Sequence, residues 1–356
     1  MHSNSYEATT TMQRQTGHSE VTPQDSLETA DSGYVVGVDI GGTNLRLALA
    51  DMTGTIACRW SSSVAGSHSA DVVIDLIRSG VESLLQQTSV PHSALRAIAA
   101  GAPGVTDVDA GVVIATSYLL GWRNIPLRYL LETALGVPAA VDNDVNLAAL
   151  GESWAGAAKG TRDFVFLAIG TGIGAGIVLD GQLFRGMGWS AGEIGYMLVP
   201  GAPDEPAERG NPGALESMIG GEGIKAQWQR LWHKDGTSLP KESTATEIFD
   251  GALRGDPLAQ TVLHQSARML AYAIYNMSLV LNCPLFVLGG GVGMHPALCE
   301  ATRRITEQWN VRAQSQLTRS TLGVDAQLMG AIRMALDTVT LRSVLPVATQ
   351  SRTEIA

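Results

Sequence analysis

Short apolar runs broken by glycine turns set the rhythm of the chain from Tyr34 onward. YVVGVDI (34–40) is rich in β-branched residues and ends at GGTN, and LRLALAD (45–51) resumes the apolar pattern. This predicts strand, glycine turn, strand. TIACRWSSSV (55–64) predicts a third strand, and ADVVIDLIRSGVESLLQQ (70–87) has helical spacing. LRAIAAGAPG (95–104) reads as a strand running into a Gly/Pro loop, and IPLRYLLETALG (125–136) as a helix closed by Gly136. AAVDND (139–144) is a strand tip, with VNLAALGESWAG (145–156) a helix directly behind it.

The opening pattern then returns. FVFLAIGTGIGAGIVLDGQLF (164–184) repeats the strand, glycine turn, strand order of VVGVDIGGTNLRLALADMTGTI (35–56). Two copies of one hairpin point to two related halves, each offering a glycine turn to a central cleft. Long amphipathic runs follow at 215–233 and 256–282, then a strand PLFVL (284–288), the turn GGGVG (289–293) and a last helix over AQLMGAIRMAL (326–336). The stretch 269–288 is the most apolar, but Asn276, Asn282 and Pro284 divide it into a buried helix, a break and a strand rather than a membrane span. Residues 1–33 are Ser, Thr, Gln and Glu-rich without an apolar period and read as a disordered tail, too poor in apolar residues for a DNA-binding helical unit.

Composition narrows the picture. A chain of 356 residues with 45% apolar content suits a two-domain α/β protein. The division read here is 34–141 plus 325–345 for a small domain and 142–324 for a large one. Net charge is −10 with no long basic block, which argues against nucleic acid and anionic membrane as partners. Cys58, Cys283 and Cys299 are scattered thiols fit for a reducing cytoplasm.

Three glycine turns stand at strand ends. DIGGTN places Asp39 before Gly41, Gly42, Thr43 and Asn44; GTGIGAG carries Gly170, Thr171, Gly172 and Gly174; GGGVG opens with Gly289, Gly290 and Gly291. Backbone N–H groups in such turns approach phosphate oxygens closely, and a carboxylate such as Asp39 joins them through a Mg²⁺ and its water shell. The set reads as a nucleotide cleft. The triplet DND (142–144) reads as a helix cap and as a carboxylate at a cleft edge, able to take a hydroxyl proton during phosphoryl transfer. Glu193 and Glu216 are candidates for gripping vicinal sugar hydroxyls.

Together these motifs resemble the ROK family (repressors, open reading frames, kinases). DIGGTNLRLALAD, GAPGVTD, LLGWRNIPL, VDNDVNLAALGE, IGTGIGAGIVLDG, AGEIGYM, GNPGALES and LGGGVG occur in family order over about residues 34–338. The resemblance implies a two-domain actin/hexokinase-like (ribonuclease H-like) α/β fold around a cleft. It implies transfer of the γ-phosphoryl of ATP, with Mg²⁺, to a hexose hydroxyl, in a cytoplasmic homodimer. By position, Asp39 and 41–44 match the first phosphate and Mg²⁺ element, Gly170, Thr171, Gly172 and Gly174 the second, and Gly289 to Gly291 the nucleoside turn. Asn143 and Asp144 match the sugar-binding Asn and catalytic Asp, and Gly104 a backbone contact to sugar. Glu193 matches the Glu of the family's ExGH motif and Glu216 the Glu that closes its CxCGxxGCxE motif.

The chain departs from the family at its zinc. Tyr196 replaces the His of ExGH, and Ala207, Arg209 and Ala214 replace the three Cys. No structural zinc is expected, and the sugar's edge has a phenol in place of an imidazole. Glucose is the default acceptor, with N-acetylhexosamine, fructose, mannose or allose as alternatives. A non-catalytic sugar-binding or regulatory protein, including a repressor, is the alternative class.

Overall fold

A computed structural model describes residues 33–64, 69–116, 119, 121–201, 205–208, 211–309 and 315–344. The tail expected over 1–33 lies outside the described residues, Gly33 apart.

The first glycine turn closes an antiparallel hairpin of β1 (Tyr34–Ile40) and β2 (Asn44–Asp51), with Tyr34 opposite Asp51 and Ile40 opposite Leu45. β3 (Ile56–Ser63) continues the meander at the edge, and its burial alternates as one-sided exposure requires. Helix α1 (Ala70–Thr88), capped by Ser69, carries the chain over to β4 (Leu95–Ala102), parallel to β1. A small antiparallel sheet of β5 (Val105–Asp107), β6 (Val112–Ala115) and β7 (Arg123–Ile125) follows. Next come α2 (Leu127–Leu135), ended by Gly136 in the left-handed region, and β8 (Ala139–Asn143), parallel to β4. The sheet order is β3-β2-β1-β4-β8.

Helix α3 (Asp144–Ala155) leads into the second half. There β9 (Phe164–Ile169) and β10 (Ile173–Leu179) form the second hairpin, with β11 (Gln182–Leu183) at its edge. After α4 (Glu216–Ile219), α5 (Gly221–Leu231), α6 (Ala245–Leu253) and α7 (Pro257–Leu281), β12 (Leu285–Gly289) lies parallel to β9. A single turn α8 (Gly290–Gly293), α9 (Pro296–Gln308), β13 (Gln316–Arg319) and α10 (Ala326–Val344) complete the described chain. The second sheet runs β11-β10-β9-β12-β13, the same pattern as the first. The repeat visible in two hairpins thus extends to whole sheets.

Each sheet buries both faces, which is why its inner strands are unbroken apolar runs. In the first sheet, Val36, Leu45 and Leu47 pack with Ile77 and Leu84 of α1 and Leu131 of α2. Its other face carries Val35, Ala48, Ala97 and Ala99 under Leu328 and Ile332 of α10. In the second sheet, Phe286 and Leu288 share a core with Trp228, Phe249 and Leu270, while Phe164 and Phe166 face Ala148 and Ala149 of α3. Trp228 and Trp232 donate their indole N–H groups to the carbonyls of Pro240 and Leu239, both at 2.9 Å, so this helix face belongs to the interior.

α3 and α10 pack directly on one another. A Cβ at Gly330 would lie 1.8 Å from the Leu147 carbonyl oxygen, and one at Gly151 would lie 2.2 Å from that of Ala326. Only glycine permits so close a crossing. Beside it the buried Glu152 carboxylate accepts from the N–H groups of Ala157 at 2.6 Å and Leu322 at 3.2 Å, and from the Ser320 hydroxyl.

One expectation changes and one holds. The run 215–233 is not one helix, because Gly220 is extended and separates α4 from α5. The apolar stretch 269–288 divides as read: α7 ends at Asn282, left-handed with φ 52°, before β12 begins. Among the described residues no helix is long and apolar enough to cross a membrane.

Candidate active site

Register brings Asp39 of β1, Gly101 of β4 and Asp142 of β8 level at one end of the first sheet. Asp39 is buried opposite Arg46, whose Nε donates to Asp39 Oδ2 at 2.9 Å. The same guanidinium donates to the Val324 carbonyl at 2.7 Å and to Gln327 Oε1 at 2.9 Å, tying the first glycine turn to the start of α10.

The DND triplet divides its labour. Asp142, 1% exposed, accepts from Arg185 Nε at 2.9 Å and Nη2 at 2.6 Å and from Asn146 Nδ2 at 3.0 Å. Asn143 caps α3, its Oδ1 accepting from Val145 N at 2.8 Å and Asn146 N at 3.1 Å. Its Nδ2 donates to the Gly104 carbonyl at 2.9 Å. An amide NH₂ has two hydrogens, so one is left for a ligand. Gly104 sits at φ +94°, where a Cβ would meet the Ala115 carbonyl oxygen at 2.2 Å. Asp144, the first residue of α3, projects half-buried beside them.

Burial disfavours the charged form of Asp144, and the negative charges of Asp39 and Glu193 add to it. The N–H groups of Val145 and of Asp144 itself oppose the shift, yet the carboxyl is pushed up to about 7. Burial raises Asp39 as well, against the pull of Arg46. Burial, followed by the charge of Glu216, raises Glu193. Four carboxylates therefore form an interacting row: Asp39, Asp144, Glu193, Glu216. Arg46 pairs with Asp39 among them, and among the described residues no three carboxylates stand close enough to ligate an ion directly, so a divalent ion here would be held through its water shell.

Asn143, Gly104, Glu193 and Gly174 line one open pocket, together with Asn146 and Trp189. Glu216 stands behind this wall, its Oε2 accepting from the Ile173 N–H at 3.1 Å. Tyr196 is not among the pocket's described walls and is 41% exposed.

At the matching end of the second sheet, Gly170 N donates to the Gly172 carbonyl at 2.9 Å, closing the β9–β10 turn around Thr171. Gly221 N donates to the Gly170 carbonyl at 2.8 Å, and Gly290 and Gly293 pack against Ile169. The turns at 170–172 and 289–291 therefore adjoin. Gly220 and Gly221, at the start of α5, join them; they were hidden inside a run that reads as amphipathic helix. Sequence reasoning also missed Arg46, Arg185 and Trp189. Arg46 lies within DIGGTNLRLALAD, but only the strand register sets it opposite Asp39, and Arg185, outside any strand, meets Asp142 only in the folded chain.

The zinc positions do not fit a metal. Ala214 is buried without a donor side chain, Tyr196 is exposed, and Arg209 lies outside the described residues. Backbone contacts hold this region instead: Leu215 N donates to the Met197 carbonyl at 3.1 Å, and Gly213 packs on the Gly195 carbonyl. Among the described residues no group of three or more His, Cys, Asp or Glu is placed to hold a metal ion.

The sequence model of the ROK family matches residues 35–338. A glucokinase of Halalkalibacterium halodurans is 32% identical over 83% of this chain and 93% of its own length. A xylose repressor of Caldicellulosiruptor bescii is 25% identical over 86% of this chain and 79% of its own. The crystal structure of a ROK family glucokinase from Streptomyces griseus, in complex with glucose and AMPPNP, is similar with a TM-score of 0.72 and 25% identity. That similarity covers 86% of this chain and 100% of that one. Two sheets of like order with α3 and α10 between them make the actin/hexokinase-like α/β fold. With the family match spanning the described chain almost end to end, the protein belongs to the ROK family.

Proposed function

We propose that the chain is an ATP-dependent sugar kinase in which Asp144 is the base. The observation that carries this reading is the half-buried Asp144 carboxyl, held near 7 beside a pocket lined by Asn143 and Glu193. A general base serves best with a pKa near the working pH. Asn143 is fixed by its cap and by Gly104, so its remaining amide hydrogen orients one sugar oxygen. Glu193 grips a further hydroxyl, with Glu216 behind it. Asp144 takes the proton of the acceptor hydroxyl as its oxygen bonds to the γ-phosphorus, and the bond from that phosphorus to the ADP oxygen breaks. N–H groups of the turns at 41–44 and 170–174 hold the phosphates, and the turn at 289–291 takes the nucleoside. A Mg²⁺ held through water by Asp39 supplies neutralisation of phosphate charge when bound.

The glucokinase relative supports a hexose as acceptor, with glucose first. The repressor relative supports a second reading, a sugar-responsive regulator without turnover. A coupled assay of ADP release against a panel of hexoses separates them. The kinase reading expects sugar-dependent release with at least one hexose; sugar binding with no release for any of them favours the regulator.

A further inference from the structure

Trp189 is the aromatic residue in the wall of a pocket otherwise lined by Val145 and by polar or small residues, among them Asn143, Asn146, Glu193, Gly174 and Ala191. It is half-buried, and its backbone lies at φ +61°. A bulky residue in the left-handed region is an outlier, held there only when the surroundings impose it. The turn carrying it is pinned at both ends. Arg185 is clamped on Asp142, beside Asn143, and Ala191 N donates to the Arg185 carbonyl at 3.1 Å. Glu193 N then donates to the Ser190 carbonyl at 3.3 Å, so the turn that presents the indole also presents Glu193. The ring and the hydrogen-bonding groups thus share one framework.

Resting on the sugar-kinase reading, we propose that Trp189 is a platform for one face of the acceptor ring and selects a gluco-configured pyranose. The chemistry is that of the two surfaces. A pyranose whose hydroxyls are all equatorial bares only axial C–H groups on its faces. Such a face packs on an indole as an apolar plate while the equatorial hydroxyls reach Asn143 and Glu193 at its edge. An epimer with an axial hydroxyl on that face would press a polar group against the ring without a partner, which costs binding.

The test compares wild type, Trp189→Ala and Trp189→Phe. Calorimetry measures binding of glucose, mannose, allose and galactose, and steady-state assays give kcat and KM for each sugar that turns over. For Trp189→Ala, glucose Kd and KM should rise by about tenfold or more while kcat changes less than about threefold. Trp189→Phe should recover most of the affinity, and only in the Ala variant should the gap narrow between glucose and the epimers whose axial hydroxyl lies on the stacked face, which is one face for mannose and galactose and the other for allose. Glucose affinity within about twofold of wild type in Trp189→Ala would overturn the proposal. So would equal losses for glucose and all the epimers, or failure of the Phe variant to recover any binding. Glucose binding that depends on Trp189 without phosphoryl transfer would sink the kinase reading alone. Absence of any hexose binding by wild type would sink both.

Discussion

Asp144 shows how a helix start can serve two opposed ends. The first turn of a helix favours a carboxylate through its free N–H groups and dipole, and those of Val145 and Asp144 itself do lower its pKa. Burial and the Asp39 charge outweigh them and bring it to about 7, above its ordinary 3.8. The folded chain therefore holds this proton more tightly than the unfolded one. Its contribution to stability is full below about pH 3.8 and is lost as pH rises through about 7. Asp39 and Glu193 are shifted in the same direction and add to the slope. Turnover has the opposite sign, because the base must be ionised. Profiles of kcat/KM, which report the free enzyme, should show an acid limb near pH 7. Urea unfolding should show wild type losing stability relative to Asp144→Asn over the same interval. A kcat/KM that stays flat down to the ordinary carboxylate range would contradict the environment described for Asp144.

At the scale of elements, the crossing of α3 and α10 carries the sharpest constraint. Alanine at Gly330 would drive a methyl into the Leu147 carbonyl, so the two helices must part. Overpacking of this kind costs about 1–3 kcal/mol, and chemical denaturation of Gly330→Ala should show a loss in that range. Unchanged stability would mean that the crossing is looser than 1.8 Å allows. The glycine turns make a separate prediction. Gly172→Val puts a branched side chain where a close backbone approach is proposed, so ATP affinity by calorimetry should collapse while the fold survives. Undiminished ATP affinity would count against a phosphate role for 170–174. The hairpins around these turns were legible because their apolar runs are long and end abruptly in glycine. The β5–β7 sheet was not, because strands such as Val105–Asp107 and Arg123–Ile125 are too short to display a period. Gly220 escaped for a related reason. A glycine within an amphipathic run reads as a weak helical position until the extended backbone shows it to be a break.

Across the whole molecule, the repeated sheet order was foreshadowed by two matching hairpins, since the same turn chemistry recurs at 41–44 and 170–174. Long-range partners were beyond reach. Asp39 meets Arg46, and Arg46 meets Val324 and Gln327, only because the start of α10 returns to the first glycine turn. Arg185 closes on Asp142 across 43 positions of chain. These pairs hold the carboxylate row in place, and the proposed chemistry depends on that row. The most direct measurement of the central claim is sugar-phosphate formation from ATP and the best hexose, followed by phosphorus NMR, for wild type and Asp144→Asn. The account predicts product with wild type, a rate lower by about a hundredfold or more in the variant, and hexose binding largely retained in both. Turnover by Asp144→Asn close to that of wild type would contradict it.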